Sequence, residues 1–240
     1  MSEAVIEARN VVKVLGRGAG QVEALSGVDL TLKRDELALL MGPSGSGKTT
    51  LLSVLGCMLT PTKGTIHVVG RSTAGLGPED LARIRREHVG FVFQSYHLFP
   101  TLTAAENVQM ALDLRGQRGK SAKDKARDVL ALVGLSHKLS SYPSEMSGGE
   151  QQRVALARAI VSGPSVILAD EPTAALDGKN GQAIMSILAR IAKAGGCGVL
   201  VVTHDTRLLQ FADRIVYIED GRIVREEQCR EPAPLTSRSA

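Results

Sequence analysis

The residues most clearly arranged for chemistry form a glycine-rich turn between two apolar segments. Residues 37–41 are apolar and short enough to be one buried strand, and an apolar helical pattern follows the turn. The turn and the residues after it are Gly42, Pro43, Ser44, Gly45, Ser46, Gly47, Lys48, Thr49 and Thr50. Their order matches the spacing G-x-x-x-x-G-K-[ST], in the strand–loop–helix context that a phosphate-binding P-loop requires. We therefore expect residues 42–50, called the P-loop below, to bind phosphate groups.

The backbone of such a loop and two of its side chains supply the chemistry. Glycines let the chain turn tightly, so that several N–H groups point at one anion. The helix that starts after Gly47 adds free N–H groups and the positive end of its dipole. Lys48 would reach the β- and γ-phosphates of a nucleotide, and the Thr49 hydroxyl would ligate Mg²⁺. A glycine-rich turn alone indicates only a tight turn, but the Lys–Thr pair after a buried strand indicates a nucleotide site.

A second apolar segment ends in two acidic residues. Residues 166–169 are apolar and lead into Asp170, Glu171 and Pro172. Phosphoryl transfer needs a carboxylate that holds the metal and a base that orients the attacking water. We predict that Asp170 holds Mg²⁺, through water, and that Glu171 polarises the attacking water. The alternative, an acidic turn after a strand, is disfavoured because a P-loop stands in the same chain.

Strands of two kinds would position these groups. Residues 165–170 and 198–203 are apolar segments, as expected for parallel strands that helices cover on both faces. Nearer the N-terminus, Val28, Leu30 and Leu32 alternate with polar residues, which is typical of a half-buried antiparallel strand. We therefore predict an α/β fold in which an antiparallel β subdomain precedes a parallel-sheet core.

Helical patterns dominate the middle of the chain. Three of them follow one another without an intervening strand pattern, at residues 103–114, 121–133 and 149–162. This arrangement predicts an α-helical subdomain inserted into the α/β core. The expected organisation is one domain over residues 1–225, with the core and β subdomain at residues 1–94 and 160–225 and the helical subdomain at residues 95–159. The polar segment at residues 226–240 has no periodicity, and we expect it to be a flexible tail.

Composition excludes several classes of protein. A hydrophobic fraction of 43% and a charged fraction of 22% are ordinary for a globular domain, and no apolar run is long enough to cross a bilayer. The start of the chain lacks the basic and apolar regions of a signal peptide, so we expect a cytoplasmic protein. The three cysteines share no ligand spacing, which argues against a zinc site or a disulfide framework.

The basic residues do not indicate a nucleic-acid partner. The net charge is +4, but most basic residues are interleaved with acidic ones and no aromatic residue stands among them to stack on bases. The densest basic cluster lies at residues 115–127, and we interpret it as a solvated helix face. Contact with anionic lipid headgroups is the alternative for this cluster.

Further motifs, in a fixed order, resemble those of the ATP-binding-cassette (ABC) ATPases. The segment that resembles their signature motif consists of Ser147, Gly148, Gly149, Glu150 and Gln151. Gln94 resembles the Q-loop glutamine, residues 174–177 resemble the D-loop, and His204 resembles the switch histidine. The resemblance covers residues 5–225 and includes the P-loop and the acidic strand end. It implies a P-loop NTPase fold of the RecA-like kind, hydrolysis of ATP, and ATP and Mg²⁺ as cofactors.

The resemblance also implies a role for each motif. The catalytic residues would be Glu171, His204, Lys48 and Gln94, and the ligands of Mg²⁺ would be Thr49, Gln94 and Asp170. Besides the P-loop, the residues that contact ATP would be Ser147, Gly148, Gly149, Gln151 and Asp177. The signature residues would do so across a head-to-tail homodimer with two ATP molecules at its interface, because the helical insertion separates them from the P-loop of their own chain. Without the resemblance, His204 would be a capping or packing histidine and Gln94 a surface glutamine.

The chain departs from the family pattern in three places. An aromatic residue that stacks on adenine is expected near Val14 and Leu15, but none occurs there, so the base would pack on aliphatic carbon and nucleotide selectivity stays open. Met146 stands where leucine is usual, and Ala174 stands where serine is common. Neither of the last two changes removes a polar group from the phosphates.

Other details resemble the branch of the family that exports lipoproteins, macrolides and cell-envelope glycolipids. The segments that carry this resemblance are GPSGSGKTTLL, residues 94–98, residues 106–108 and LADEPTAALD. They imply a separate membrane permease, in some members with a membrane-fusion adaptor, and a cassette bound to the inner face of the cell membrane through that permease. A cytoplasmic helix of the permease would dock around residues 94–110. Local packing of Tyr96, Leu98 and Phe99 is the alternative.

Three functions are therefore compatible with the sequence. The first is an ATPase subunit that powers export of a lipid-linked or amphipathic compound. The second is a regulatory ABC ATPase that transmits force to a non-transporting membrane partner of the cell-division type. The third, a soluble ABC ATPase of DNA repair or translation, is disfavoured because the chain has a single cassette and no long coiled coil or zinc insertion.

Overall fold

Strands and helices alternate along most of the chain in the computed structural model, which describes residues 3–229. Within these residues the strands are β1 (Ala4–Leu15), β2 (Val22–Lys33), β3 (Leu37–Met41), β4 (Lys63–Val68), β5 (Arg71–Ser72), β6 (Val89–Val92), β7 (Val166–Asp170), β8 (Gly198–Val202), β9 (Arg214–Glu219) and β10 (Arg222–Gln228). The α-helices are α1 (Lys48–Leu55), α2 (Pro78–His88), α3 (Ala104–Asp113), α4 (Lys120–Leu132), α5 (Gly148–Ile160) and α6 (Gly178–Gly195). None of the helices in this range is long and apolar enough to span a membrane.

The strands form two sheets. The larger sheet has the order β10–β9–β3–β8–β7–β6, and its neighbours are parallel except for the terminal pair β9–β10. The smaller sheet is antiparallel throughout, with the order β2–β1–β4–β5. The predicted α/β fold, with antiparallel strands preceding a parallel core, is confirmed.

The central strand β3 is buried on both faces and lies between two apolar cores. Leu37, Leu39 and Met41 belong to a core shared with α3, α4, α5 and α6. Ala38 and Leu40 belong to a second core shared with α1 and the antiparallel sheet. Successive side chains of a strand point to opposite faces, so this one apolar segment holds both layers of the domain in place.

Helices α3, α4 and α5 lie between β6 and β7, where the sequence predicts a helical insertion. Helix α3 begins at a capping box formed by Thr103 and Glu106. The fully buried Asn107 orders the loop before it, because its side-chain amide accepts from the Phe99 N–H at 2.8 Å and donates to the Leu102 carbonyl at 2.9 Å. This loop connects β6 to the helices.

Three element boundaries differ from the sequence prediction. The apolar pattern after the P-loop predicts a helix to about Leu59, but α1 ends at Leu55, and Cys57 then adopts a left-handed conformation with φ of +58°. Helix α5 begins at Gly148, slightly before the predicted start. Strand β10 continues to Gln228, so residues 226–228 are part of a strand rather than of a loose tail, and residues 230–240 lie outside the described residues.

A buried ion cluster connects the ends of β2, β9 and β10 with the residue that precedes β3. Arg214 on β9 donates from Nε to Glu36 Oε1 at 2.7 Å and from Nη1 to Glu226 Oε2 at 2.8 Å. It also donates to the Thr31 carbonyl on β2. The Arg214 and Glu36 side chains are only 6% and 10% exposed. Removing the guanidinium would therefore leave the Glu36 carboxylate buried without its partner.

We expect Arg214→Met to lower the free energy of unfolding by about 3–5 kcal/mol, which is typical when one partner of a buried ion pair is removed. Urea denaturation would measure the change. Arg222→Met is the matched control, because Arg222 is exposed on the neighbouring strand, and its change should stay within about 0.5 kcal/mol. A midpoint for Arg214→Met equal to that of the control would contradict a stabilising role for the cluster.

Candidate functional site

The residues predicted for chemistry follow neighbouring strands at one edge of the larger sheet. The P-loop follows β3, His204 follows β8, and Asp170 and Glu171 stand at the end of β7. These three strands are adjacent in the order β3–β8–β7 and run parallel, so their carboxyl ends meet at the same edge. Ligands of parallel α/β sheets bind at this edge.

The P-loop is shaped by close approaches of other backbone segments. A Cβ atom on Gly42 would lie 2.0 Å from the Ile218 carbonyl oxygen, and one on Gly47 would lie 2.4 Å from the Ala24 carbonyl oxygen. Gly47 also has φ of +98° and precedes α1 directly. Side chains are therefore excluded at both ends of the loop, and a glycine loop of this kind can present its N–H groups to an anion.

Lys48 and Thr49 are the first residues of α1. The Lys48 side chain lies over the loop, and the Thr49 side chain lies near Asp170. The Lys48 ammonium group lies over the loop and donates to the Gly42 carbonyl at 2.8 Å and to the Pro43 carbonyl at 2.6 Å. The Thr49 side chain lies close enough to Asp170 to lower the pKa of that carboxyl group. The cation is thus held beside the space that the loop encloses, and the hydroxyl is held beside the carboxylate at the end of β7.

The donor set of Thr49 and Asp170 fits Mg²⁺, a cation that prefers oxygen ligands and keeps several waters. Burial raises the pKa of Asp170, and the nearby Thr49 side chain opposes this effect. A partly buried carboxylate of this kind gains from a nearby cation. No cluster of three or more acidic, histidine or cysteine side chains that could hold a metal occurs within residues 3–229. A cation at this position would therefore need water or nucleotide oxygens as its remaining ligands.

Glu171 and His204 form a pair at the mouth of the site. Glu171 has φ of +45°, a conformation that is uncommon for residues other than glycine, and its N–H donates to the Val202 carbonyl at 3.0 Å. Its Oε1 atom lies 3.2 Å from His204 Nδ1. Backbone strain of this kind is often found at functional sites. It turns the Glu171 side chain away from the strand and toward the histidine.

A cleft of about 780 Å³ brings the P-loop together with Glu171 and His204, whereas Asp170 is not among the residues that line it. Residues of the P-loop line it with Glu171 and His204, and so do the rim residues Leu15, Val22, Glu23, Ala24, Asp220 and Gly221. The sequence did not single out Val22, Glu23 or Asp220. The only signal was indirect, since the Asp220–Gly221 turn is predictable as a hairpin turn but its position against the P-loop is not.

Gln94 is not among the residues that line this cleft. It is exposed and lies two residues beyond the end of β6, the outermost strand of the sheet on that side. The next residues, Tyr96 and His97, have φ of +61° and +48°, and their carbonyl groups accept hydrogen bonds from Arg158 on α5. The segment after Gln94 is therefore bound to α5, the helix that begins within the signature motif.

The signature residues also lie outside the cleft. Ser147 caps α5, since its hydroxyl accepts from the Glu150 N–H at 3.3 Å and donates to Glu150 Oε2 at 3.1 Å. The Ser147 N–H donates to the same carboxylate at 2.8 Å, and this bond is the main cause of the lowered pKa of Glu150. Gln151 donates from its side chain to the Met146 carbonyl. The N-terminus of α5 thus binds a carboxylate of its own chain.

The last residue of the D-loop segment, Asp177, caps the next helix. Its carboxylate accepts from the N–H of Asn180 at 2.9 Å and from the Asn180 side chain at 2.8 Å. These two hydrogen bonds lower the pKa of Asp177. Like the signature residues, Asp177 is not part of the P-loop cleft.

Comparison with known proteins agrees with this geometry. Residues 25–174, more than half of the chain, match the profile of the ABC transporter family. The macrolide export ATP-binding/permease protein MacB 1 of Aeromonas hydrophila is 43% identical over 243 residues. This alignment covers 100% of the chain but only 37% of MacB 1, so the chain spans little more than a third of that relative. The ABC transporter ATP-binding protein MJ0796 of Methanocaldococcus jannaschii is 41% identical, with 94% of this chain and 98% of MJ0796 covered.

Solved structures give the same result. The dimeric, post-hydrolysis structure of the ATP-binding cassette MJ0796 bound to ADP and Pi superposes with a TM-score of 0.89 at 40% identity, covering 94% of this chain and 99% of the other. A second dimeric structure of MJ0796 superposes with a TM-score of 0.88. This chain therefore belongs to the ABC transporter family and is an ATP-hydrolysing cassette of that family.

Proposed function

We propose that this chain binds ATP with Mg²⁺, closes head-to-tail on a second copy around two ATP molecules, and so powers a separate export permease. The observation that carries the proposal is the Glu171–His204 pair over the P-loop cleft, with Nδ1 and Oε1 3.2 Å apart. A carboxylate held by a histidine beside a phosphate site can take a proton from an attacking water. The dimeric structures of MJ0796, one of them bound to ADP and Pi, support the closed pair.

Each group of the cleft has a defined task in this proposal. The P-loop N–H groups and Lys48 would hold the β- and γ-phosphates, and Lys48 would exchange its bonds to the Gly42 and Pro43 carbonyls for bonds to phosphate. Thr49 and Asp170 would hold Mg²⁺. The bound ion would neutralise part of the negative charge of the phosphates. Glu171 would accept the proton of the water, and His204 would fix the direction of the carboxylate.

The remaining predicted contacts would come from the second copy. Ser147, Gly148, Gly149, Gln151 and Asp177 lie away from the chain's own cleft, so in this proposal they reach the nucleotide held by the other P-loop. We propose that Gln94 joins the Mg²⁺ site when the two copies close, since it follows β6 at the same edge of the sheet. The division into a core, with its β subdomain, and a helical subdomain at residues 95–159 would allow this closing movement.

Glu171→Gln should keep ATP binding but lower the hydrolysis rate on the order of 10²-fold or more, because the proton acceptor is lost. The ATP-bound protein should then elute as a dimer on a sizing column. Glu79→Gln, an exposed carboxylate in the first turn of α2, is the control and should hydrolyse ATP at the parent rate. Undiminished hydrolysis by Glu171→Gln would contradict its role as base, and a monomer at saturating ATP would contradict the closed dimer.

The base of the nucleotide would lie against an aliphatic rim. Leu15 and Val22 are paired residues of β1 and β2, both line the cleft, and both are exposed, at 36% and 64%. No phenylalanine, tyrosine or tryptophan within residues 3–229 lines this cleft. Aliphatic contact is less specific than ring stacking, so we propose that the phosphates carry most of the affinity and that ATP and GTP differ little in binding.

Leu15→Tyr should tighten ATP binding by roughly tenfold, since stacking of a base on an aromatic ring contributes about 1–3 kcal/mol. Equilibrium titration with ATP and with GTP would measure both dissociation constants. Val224→Tyr is the control, because Val224 is an exposed residue of β10 outside the cleft. An affinity for ATP that does not change in Leu15→Tyr would place the base elsewhere.

The permease partner would dock on a second cavity, of about 400 Å³, formed by α2, β6, α3 and α5. Its apolar lining includes Phe91 and Leu114, and three arginines line it as well: Arg85, Arg86 and Arg158. None of these arginines has a carboxylate partner within residues 3–229. Charge complementarity therefore favours a permease helix that carries apolar residues and at least one carboxylate.

We propose this cavity as an alternative to the docking position expected around residues 94–110. It lies beside residues 94–110 rather than within them, and none of those residues lines it. Arg158 connects the two, because it lines the cavity and also holds the Tyr96 and His97 carbonyls. Leu98 packs against the apolar core, which agrees with the local-packing alternative, while Phe99 is 47% exposed.

Arg86→Glu should abolish co-purification of an integral membrane permease with the tagged chain from native membranes, because it opposes an acidic partner in the cavity. Arg118→Glu, an exposed arginine outside the cavity, should retain the partner, and both variants should hydrolyse ATP normally in isolation. Retention of the permease by Arg86→Glu would contradict this docking site. Recovery of an adaptor with the permease would support export, whereas recovery of cell-wall hydrolase regulators would favour force transmission to a non-transporting partner.

A further inference from the structure

The side chain of Asn180, in the first turn of α6, contacts two other functional segments. Its Oδ1 accepts a hydrogen bond from the Arg153 guanidinium on α5, and its Nδ2 donates to Asp177 Oδ2 at 2.8 Å. A Cβ atom on Gly149 would lie 3.3 Å from Asn180 Cγ, so the signature helix approaches this amide closely. The Asn180 side chain therefore lies next to the signature segment (residues 147–151), whose last four residues form the start of α5, and it bonds to Arg153 on that helix and to the end of the D-loop segment (residues 174–177).

Helix α6 does not need this amide in order to begin. Its N-cap is complete without it, because Asp177 Oδ1 accepts from the backbone N–H of Asn180 at 2.9 Å. Replacing the Asn180 side chain would leave that backbone bond in place. The side-chain bonds to Arg153 and Asp177 are therefore additional to helix formation, and they join elements that are separated in the chain by β7.

The charges on the two sides of Asn180 explain why an amide suits this position. Arg153 has no carboxylate partner within residues 3–229, and its Nε atom is buried without a hydrogen-bond partner. An amide can accept from the guanidinium with its oxygen and donate to the Asp177 carboxylate with its nitrogen. It thus links a cation on the signature helix to an anion on the D-loop segment in the polarity that each requires.

We infer that Asn180 is a positioning residue that holds the signature segment and the D-loop segment in one fixed arrangement, so that both meet the nucleotide of a second copy together. The inference rests on the proposed head-to-tail dimer. Two segments that must contact one ligand lose affinity when they move independently, because each must be ordered separately on binding. Fixing them in advance removes that cost.

The link itself can be tested without nucleotide. In Asn180→Ala, amide hydrogen exchange should become about three- to tenfold faster in residues 147–153 and also in residues 174–177, since one shared tether is lost. Gln182→Ala is the matched control, because it removes an exposed amide from the same helix, and exchange in both segments should stay at the parent rate. Faster exchange confined to the start of α6 would overturn the inference, because Asn180 would then act only on its own helix.

The functional consequence requires the dimer. In a Glu171→Gln background, Asn180→Ala should raise the ATP concentration for half-maximal dimerisation by about tenfold. The affinity of the monomer for a fluorescent ATP analogue should not change, because Asn180 lies outside the P-loop cleft. Dimerisation of Asn180→Ala at the parent concentration would overturn the inference. If the Glu171→Gln parent itself stayed monomeric, the proposed dimer would be refuted, and the exchange experiment alone would decide on the link.

Discussion

The site depends on the parallel pairing of β3 with β8 and of β8 with β7. In this register Leu40 is level with Val202, and Val202 is level with Asp170, so the three strands end together. The segments that follow them then emerge side by side, and the P-loop, His204 and Glu171 share one cleft. A slip of one residue would turn every side chain of β3 to the opposite core. Burial of apolar side chains on both faces therefore also fixes the positions of the chemical groups.

The hairpin of β9 and β10, whose turn lines the rim of the cleft, also holds the P-loop in place. The P-loop motif does not indicate this contact. The Gly221 N–H donates to the Ser46 carbonyl at 3.1 Å, and the Gly221 carbonyl accepts from the Ser26 N–H at 2.9 Å. The Ile218 carbonyl lies against Gly42 so closely that a side chain there would collide with it. A loop that presents its N–H groups to an anion must have its other face held by protein. Here the hairpin and the start of β2 provide that support, and the Arg214 cluster fixes the base of the same hairpin.

The sequence predicted those features that depend on local motifs and on the periodicity of apolar residues. The strand before the P-loop, the apolar strand that ends at Asp170, and the three helices between β6 and β7 can be read from local patterns, and the fold followed from them. Contacts between distant positions could not be read in this way. Arg214 and Glu36 are 178 residues apart, and nothing in either local pattern indicates the other. The same holds for Arg153 and Asn180, and the roles assigned to Gln94 and to the signature residues remain predictions.

The cap of the signature helix suggests why a single chain does not complete the site. The Ser147 hydroxyl and N–H both donate to the Glu150 carboxylate, and the bond from the N–H lowers the pKa of Glu150. In the proposed dimer a phosphate oxygen would replace this carboxylate as the acceptor for Ser147, an exchange of one anion for another at the same helix end. Such an exchange yields little binding energy by itself. It becomes favourable only when the nucleotide is already held by the P-loop of the other copy, because the further contacts then come without a second cost of association. In the proposed dimer, a signature segment that is satisfied within its own chain would therefore respond to bound nucleotide rather than to free phosphate.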